Sequence, residues 1–214
     1  MKKDLTELVF ILDKSGSMEG LEKDTIGGFN SLIKKQKKES GEAIISTVLF
    51  NDSCEIIHDR VNLNDVQELT DKEYYVDGCT ALLDAIGHSI NKVINYRKNI
   101  SVEEQPEKTI FIITTDGMEN SSIEFSYKKI KSMIEKQQEK YKWEFIFLGA
   151  NIDAASEAEN LGICRENAVS YCCDSTGIDL NYECLGDAIT ELRRDKKLSS
   201  KWRVKIDTDF ESRG

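Results

Sequence analysis

The stretch that decides the fold is LVFILDKSGSM, residues 8–18. Its first five residues are apolar, which predicts a strand buried on both faces, and this strand stops at the carboxylate of Asp13. Two hydroxyl side chains follow at alternate positions, Ser15 and Ser17, and Gly16 between them allows the backbone to turn tightly. We therefore expect the strand to deliver three oxygen groups into one small volume at its carboxyl end.

A second strand of the same kind is predicted further along the chain. Residues 109–115 are mostly apolar and end at a carboxylate and a glycine, Asp116 and Gly117. In a doubly wound sheet, ligands bind outside the carboxyl ends of the strands, at the point where the strand order reverses. Asp13 and Asp116 are therefore expected to meet if their strands are neighbours at that point.

Oxygen-only ligands suit a hard cation such as Mg2+, Mn2+ or Ca2+ and do not suit zinc or copper. The motif at residues 13–17 alone is equally consistent with a polar turn that leads into a helix. Its interpretation as a metal site therefore depends on the rest of the chain.

Composition limits the class of protein. The chain has 214 residues, enough for one well-buried domain, and its single proline argues against a flexible linker. A formal net charge of -10 argues against sequence-independent binding to nucleic acid, which depends on lysine and arginine. The charged N-terminus does not resemble a signal peptide, and no apolar run approaches the roughly 18 residues of a membrane span. We expect a soluble cytoplasmic protein without a membrane or nucleic-acid partner; its oligomeric state stays open.

The six cysteines lack the paired spacing of a zinc site or a redox motif. Two of them, Cys172 and Cys173, are adjacent. We therefore expect free thiols, most of them buried.

Strand and helix patterns alternate along the chain, which predicts an α/β fold. We expect strands at 8–12, 43–50, 54–60, 109–115, 143–149 and 168–172, and helices near 19–38, 81–96, 124–140, 153–161 and 180–194. The polar turn at 51–53 predicts that the second and third strands form an antiparallel hairpin, with one of them at the sheet edge. The remaining strands are expected to be parallel and covered by helices on both faces. Residues 1–196 are assigned to this domain, and 197–214 to a C-terminal tail or a peripheral element such as a strand.

Three motifs, in this order along the chain, resemble the metal-ion-dependent adhesion site (MIDAS) of von Willebrand factor type A (VWA) domains. They are Asp-Lys-Ser-Gly-Ser at 13–17, Gly-Cys-Thr at 78–80 and Thr-Asp-Gly at 115–117. The flanking segments 50–52 and 83–86 also resemble that family, and the similarity extends over roughly residues 5–195. Three ordered motifs at compatible spacing are far more specific than any one of them alone.

The resemblance implies a Rossmann-like, doubly wound, mostly parallel six-stranded sheet with one antiparallel edge strand. It also implies a divalent cation bound directly by hydroxyl groups and, directly or through water, by two carboxylates. The implied ligands are Ser15, Ser17, Thr80, Asp13 and Asp116. Two features depart from the family: Cys79 stands where a glycine or another small residue is more usual, and the helical insertions of integrin-type ligand surfaces are not evident.

These ligands indicate a function in protein interaction. Two carboxylates and three neutral hydroxyls only just neutralise a divalent ion, so an open coordination position should accept an Asp or Glu from a protein partner. We therefore expect a non-enzymatic interaction module that depends on Mg2+, with Mn2+ or Ca2+ as substitutes. Glu119 and Asn120 are candidates for the rim of the site, although ordinary loop polarity explains them equally well.

Two alternatives remain open. One is a metal-dependent hydrolase or phosphatase that uses the same carboxylates, and the other is a scaffold whose site is only structural. A hydrolase needs a positioned base, and neither His58 nor His88 has an obvious catalytic partner in the sequence. The glycine-rich loops that bind nucleotide phosphates are also missing.

Overall fold

The chain forms one six-stranded sheet, seen in a computed structural model that describes residues 1–194 and 197–213. The strands are β1 Lys2–Asp13, β2 Glu42–Phe50, β3 Cys54–Asn62, β4 Pro106–Thr115, β5 Glu144–Ala150 and β6 Ala168–Tyr171. Their order across the sheet is β3-β2-β1-β4-β5-β6, and every pair is parallel except β2 with β3. The predicted fold class is confirmed, including the antiparallel strand at the edge.

The helices cover both faces of the sheet, as expected. They are α1 Glu22–Gln36, α2 Leu82–Lys98, α3 Tyr127–Tyr141, α4 Ala154–Leu161, α5 Ser175–Arg193 and α6 Val204–Arg213. The buried side chains of α1, α5 and α6 form one core layer, and those of α2, α3 and α4 form another. None of the described helices is long and apolar enough to cross a membrane.

Strand β1 shows why the sheet lies in the middle of the domain. Leu8, Phe10 and Leu12 point into the layer with α1 and α5, whereas Val9 and Ile11 point into the layer with α2 and α3. All five side chains are almost completely buried. The continuous apolar run therefore forms a strand that is buried on both faces, as predicted, because a strand covered on both faces needs no polar side.

Three helix starts differ from the prediction, and one of them is that of α3, which begins at Tyr127 and not near residue 124. Helix α1 begins at Glu22, because a short 3-10 turn at Gly16–Met18 ends the motif and residues 19–21 connect this turn to the helix. Helix α5 begins at Ser175, earlier than predicted, because the carboxylate of Asp174 accepts a hydrogen bond from the backbone N–H of Gly177.

The C-terminal residues are helical where a tail or a strand was considered. A 3-10 turn at Ser200–Arg203 leads into α6, and both Trp202 and Ile206 are buried in the core layer with α5. These two side chains explain why the segment packs against the domain. Residues 195, 196 and 214 lie outside the described residues, so the division between 1–196 and 197–214 stays a prediction.

Candidate metal centre

The candidate site lies where β1 and β4 end side by side. The two strands are parallel neighbours with Leu12 opposite Thr114, and each continues into a carboxylate, Asp13 or Asp116. The chain moves outward in one direction through β2 and β3 and in the other through β5 and β6, so the strand order reverses here. The expected neighbourhood of the two strands is confirmed.

Hydrogen bonds join the first motif to Asp116. The Asp13 carboxylate accepts a bond from the backbone N–H of Ser15 at 2.7 Å, which holds the turn closed. The hydroxyl oxygens of Ser15 and Ser17 lie 3.2 Å apart, and Ser17 Oγ donates to Asp116 Oδ1 at 2.6 Å. Four of the five predicted ligands therefore form one connected cluster.

Thr80 reaches the same place from the loop before α2. The loop is tied to the first motif by a hydrogen bond of 3.1 Å from Gly16 N to the carbonyl oxygen of Gly78. It is tied to the loop after β4 through Asn120, whose side-chain oxygen accepts from Thr80 N at 2.9 Å. A side-chain carbon placed on Gly117 would lie 3.6 Å from both Ser17 Oγ and Thr80 Oγ1. The Thr80 hydroxyl thus faces the cluster around Ser17 and Asp116.

Two further residues support Asp13 and were missed in the sequence. Thr115 Oγ1 donates to Asp13 Oδ2 at 2.6 Å, and the hydroxyl of Tyr74 donates to the carbonyl oxygen of Asp13, also at 2.6 Å. A polar residue at the end of an apolar strand was a signal for Thr115, whereas nothing in the sequence pattern pointed to Tyr74. Both contacts fix the carboxylate and its backbone in one orientation.

The rim residues Glu119 and Asn120 have structural contacts of their own. Glu119 accepts hydrogen bonds from the backbone N–H groups of Ser121 and Ser122 and from that of Leu83 at the start of α2. Asn120 holds Thr80, as described above. Both residues therefore order the loops that carry the predicted ligands.

Burial raises the pKa of both carboxylates. Burial raises the pKa of Asp13 to about 6, the charge of Asp116 adds to the rise, and hydrogen bonds from Ser15 and Thr115 oppose it. Burial also raises the pKa of Asp116. Neither carboxylate forms an ion pair within the described part of the chain. The adjacent Lys14 turns away, because its Nζ lies 2.8 Å from Glu55 and over the ring of Tyr75.

The donor set fits a hard divalent cation. Asp13 and Asp116 bring two carboxylates, and the other three candidates bring neutral hydroxyl oxygens, which are ligands that Mg2+, Mn2+ and Ca2+ accept. No group of three or more His, Cys, Asp or Glu side chains arranged to hold a metal occurs among the described residues. A cation at this site would therefore depend on the hydroxyl groups as well as on the carboxylates.

The cysteines are free thiols, but the expectation that most are buried is wrong. Only Cys184 is buried, whereas Cys54, Cys79 and Cys164 are exposed on loops or at strand ends. Cys173 Sγ lies 3.9 Å from Asp116 Oδ2 and is the sulfur in contact with the site. Loop and edge positions explain the exposure, because a small side chain there finds no neighbouring layer to cover it.

The contacts of the two histidines lie away from the cluster. The His58 ring is buried, stacks on Phe29 and lies 3.0 Å from the hydroxyl of Thr47. His88 Nε2 lies 3.3 Å from a carboxylate oxygen of Glu124 on the outer side of α2. Each histidine therefore has a structural partner instead of a place beside the two carboxylates.

Several solved structures resemble the chain in fold. Proximal thread matrix protein 1 (PTMP1) from the mussel byssus matches with a TM-score of 0.62 and 18% identity, over 87% of this chain and 46% of its own. PTMP1 with a zinc-occupied MIDAS motif matches with a TM-score of 0.58 and 16% identity, over 86% and 46%. A von Willebrand factor type A structure from Catenulispora acidiphila matches with a TM-score of 0.57 and 12% identity, over 86% and 42%.

The sequence itself matches no protein-family model and no curated protein. The chain spans just under half the length of each of these three solved chains. At these identities the similarity concerns the arrangement of strands and helices, and it agrees with the fold that the three motifs implied. The chain adopts the fold of a von Willebrand factor type A domain.

Proposed function

We propose that this chain is a non-enzymatic interaction module that binds a protein partner through a divalent cation. Ser15, Ser17 and Thr80 bind the ion directly, and Asp13 and Asp116 bind it directly or through water. A carboxylate from an Asp or Glu of the partner completes the coordination shell. The physiological ion is Mg2+, with Mn2+ or Ca2+ as substitutes, and the partner is a cytoplasmic protein.

One observation carries the proposal. The buried carboxylate of Asp13 and the carboxylate of Asp116 lie within one hydrogen-bonded cluster, and no ion pair with either occurs among the described residues. Buried carboxylates without a cationic partner are costly, and a divalent ion would remove that cost. Three hydroxyl groups around them, from Ser15, Ser17 and Thr80, add oxygen ligands without adding charge.

The charge balance supports a partner carboxylate as the last ligand. A divalent ion held by two carboxylates and neutral hydroxyls has no excess negative charge around it, so it remains attractive to an anion from outside. Ser17 is exposed and Asp116 is buried, so an ion between them can be reached from the surface. A protein side chain on a loop or a helix end could approach it there.

The zinc-occupied MIDAS motif of PTMP1 supports metal binding at the corresponding place in a chain of this fold. The donors of this chain are oxygens, and Zn2+ usually prefers nitrogen and sulfur ligands. We therefore propose Mg2+ for this chain.

A pull-down with immobilised protein tests the proposal. A native cell lysate is applied to the immobilised wild type, to Asp13→Ala and to the matched control Asp71→Ala. Each binding reaction is run once with Mg2+ and once with EDTA. Asp71 is an exposed carboxylate on a loop outside the site. A partner retained by the wild type and by Asp71→Ala with Mg2+, and lost with EDTA or in Asp13→Ala, supports the proposal. Retention of the same partner in EDTA contradicts it.

The hydrolase alternative has its own test. Metal-dependent release of phosphate or p-nitrophenol from a generic ester by the wild type, absent in Asp13→Ala, would favour it over the interaction module. We expect no turnover above that of the Asp13→Ala variant, because neither His58 nor His88 lies beside the two carboxylates to act as a base.

A further inference from the structure

A groove of about 340 Å³ lies at the other end of the sheet from Asp13 and Asp116. Its walls come from the last turns of α2 and α3 and from Trp143, the residue just before β5. Parallel strands start at this edge and end at the edge that carries the candidate metal centre. The proposed function makes no use of this groove.

The groove is basic in an acidic protein. Arg97, Lys98 and Lys136 line it, and no acidic residue does so in the described structure. Lys98 and Lys136 form no hydrogen bond or ion pair within residues 1–194 and 197–213, whereas many other lysines of the chain pair with a carboxylate. The chain as a whole has a formal net charge of -10. A positive groove is therefore not explained by the general composition.

Next to the groove, the buried positive charges outnumber the buried negative charges. The carboxylate of Glu7 is fully buried and pairs with two guanidinium groups, those of Arg60 and Arg97. One carboxylate balances one of the two positive charges. Arg97 also contacts the neutral oxygens of Thr109 and Pro106, and its guanidinium lies over the Trp143 ring, 5.2 Å from the ring centroid. An excess positive charge that is largely removed from water calls for an anion nearby.

Buried polar atoms at the groove lack partners as well. Trp143 is 3% exposed, and its indole N–H has no hydrogen-bond partner among the described residues. The same holds for Nε of Arg97, another residue that lines the groove. By contrast, the indole N–H of Trp202 donates to the carbonyl oxygen of Glu166. Native proteins seldom leave buried donors unpaired, so these donors mark a local shortage of acceptors beside the groove.

Helix ends explain only part of this pattern. Basic residues in the last turn of a helix interact favourably with the helix dipole, and this accounts for exposed lysines such as Lys98. The dipole does not account for the unpaired indole N–H of Trp143 or for the buried excess charge at Arg97. The groove also has an apolar side, because Ile94 and the half-exposed ring of Tyr141 line it.

We propose that this groove binds a small organic anion, a phosphate or carboxylate group carried on a flat ring. The anionic group contacts Arg97 and Lys136, and the ring packs against Tyr141. Flat rings stack well on a tyrosine, and a charged group pairs well with a guanidinium and an ammonium. The volume lies at the lower end of the roughly 300–1,000 Å³ of ligand pockets, which favours a ligand the size of a mononucleotide or smaller.

NMR of the tryptophan indole groups tests the proposal directly, because the chain has two tryptophans. The full chain is titrated in EDTA, which keeps the candidate metal centre out of the experiment. The probes are adenosine monophosphate, benzoate and, as a neutral control, adenosine. We expect the Trp143 indole signal, assigned with Trp143→Phe, to shift and saturate while that of Trp202 stays in place.

Matched variants locate the binding. Lys136→Gln should weaken binding by roughly tenfold, the effect of losing one charge-assisted hydrogen bond, whereas Lys129→Gln, on the same helix but outside the groove, should leave it unchanged. Saturation by adenosine monophosphate alone would identify the anion as a phosphate, and saturation by benzoate alone as a carboxylate. The proposal is overturned if neither anion shifts the Trp143 signal, if adenosine does so equally well, or if both lysine variants weaken binding alike.

Discussion

Ser17 Oγ donates a hydrogen bond of 2.6 Å to Asp116 Oδ1, although the two residues are 99 positions apart in the sequence. The contact exists because β1 and β4 are neighbours and end at the same edge of the sheet. It joins a neutral hydroxyl to a carboxylate that forms no ion pair in the described chain. A cation at the site would bind this carboxylate oxygen and replace the hydrogen bond from Ser17. The Ser17 hydroxyl could then bind the ion through its own oxygen.

A pair of variants at Thr80 separates charge from the loss of a ligand. Thr80→Asp adds a third carboxylate beside Asp13 and Asp116, so the ion should bind at least as tightly but attract an incoming carboxylate less. Thr80→Ala removes one neutral ligand and should weaken metal binding by roughly tenfold, or about 1.4 kcal/mol. Calorimetry with Mg2+ measures the metal affinity of both variants, and the pull-down measures whether each variant loses the partner. Full metal affinity together with full partner binding in Thr80→Asp would exclude an open position on the ion.

Removal of metal should leave the fold intact. Both core layers are complete without an ion, and their side chains are almost fully buried. Domains whose core supplies enough apolar burial do not need a metal to fold, unlike zinc fingers. Circular dichroism spectra in Mg2+ and in EDTA should therefore nearly superimpose. Loss of the helical signal in EDTA would favour the scaffold alternative, in which the site is only structural.

Adjacent glycines in α1 should respond oppositely to alanine. A side-chain carbon on Gly28 would lie 2.1 Å from a ring carbon of Tyr182 in α5, whereas nothing lies within 4 Å of one on Gly27. Gly28→Ala should lower the free energy of unfolding by about 1–3 kcal/mol, and Gly27→Ala should raise it by up to about 1 kcal/mol. Urea denaturation measures both. Equal effects of the two substitutions would mean that α1 and α5 do not pack closely at Gly28.

The stability of the protein should depend on pH through His58. Burial lowers the pKa of His58 below its ordinary value of 6.5, so the unfolded chain binds this proton more readily. The stabilising contribution of neutral His58 is present above about pH 6.5 and is lost as the pH falls from there through the lowered pKa. His58→Gln should therefore lose less stability than the wild type between pH 7.5 and pH 5.

The second histidine of the chain provides the control for that experiment. The side chain of His88 is about half exposed and pairs with Glu124 on the protein surface. His88→Gln removes an imidazole from the surface and not from the core, so it controls for the loss of a histidine as such in urea denaturation. A curve for His58→Gln that runs parallel to the wild type would show that His58 does not cause the loss.

The elements that were predicted well are those whose apolar pattern shows directly which of their faces are buried. The continuous apolar run of β1 and the helical spacing of α2 each indicate which faces are covered, and these faces do not depend on distant residues. Helix α6 was missed because Trp202 and Ile206 are only two apolar anchors in a charged segment. Helix α5 was predicted to start too late because the N-cap at Asp174 comes before its first apolar turn.

The candidate site could be predicted in part for the same reason. Each ligand motif follows a strand or precedes a helix, and the topology of a doubly wound sheet brings such positions together. The hydrogen bond from the hydroxyl of Tyr74 to the carbonyl oxygen of Asp13 spans 61 positions. It depends on the path of a loop without regular structure, and no periodicity in the sequence records that path.

Titration calorimetry with Mg2+ tests the central claim most directly, namely that Asp13, Asp116 and the three hydroxyl groups hold a divalent cation. Wild type and the control Asp71→Ala should give the same saturable heat for one weakly bound ion, because hydroxyl ligands add no charge and Mg2+ gives up its water reluctantly. Asp13→Ala and Asp116→Ala should give no heat of binding. Wild-type affinity for Mg2+ in either of these two variants would contradict the account.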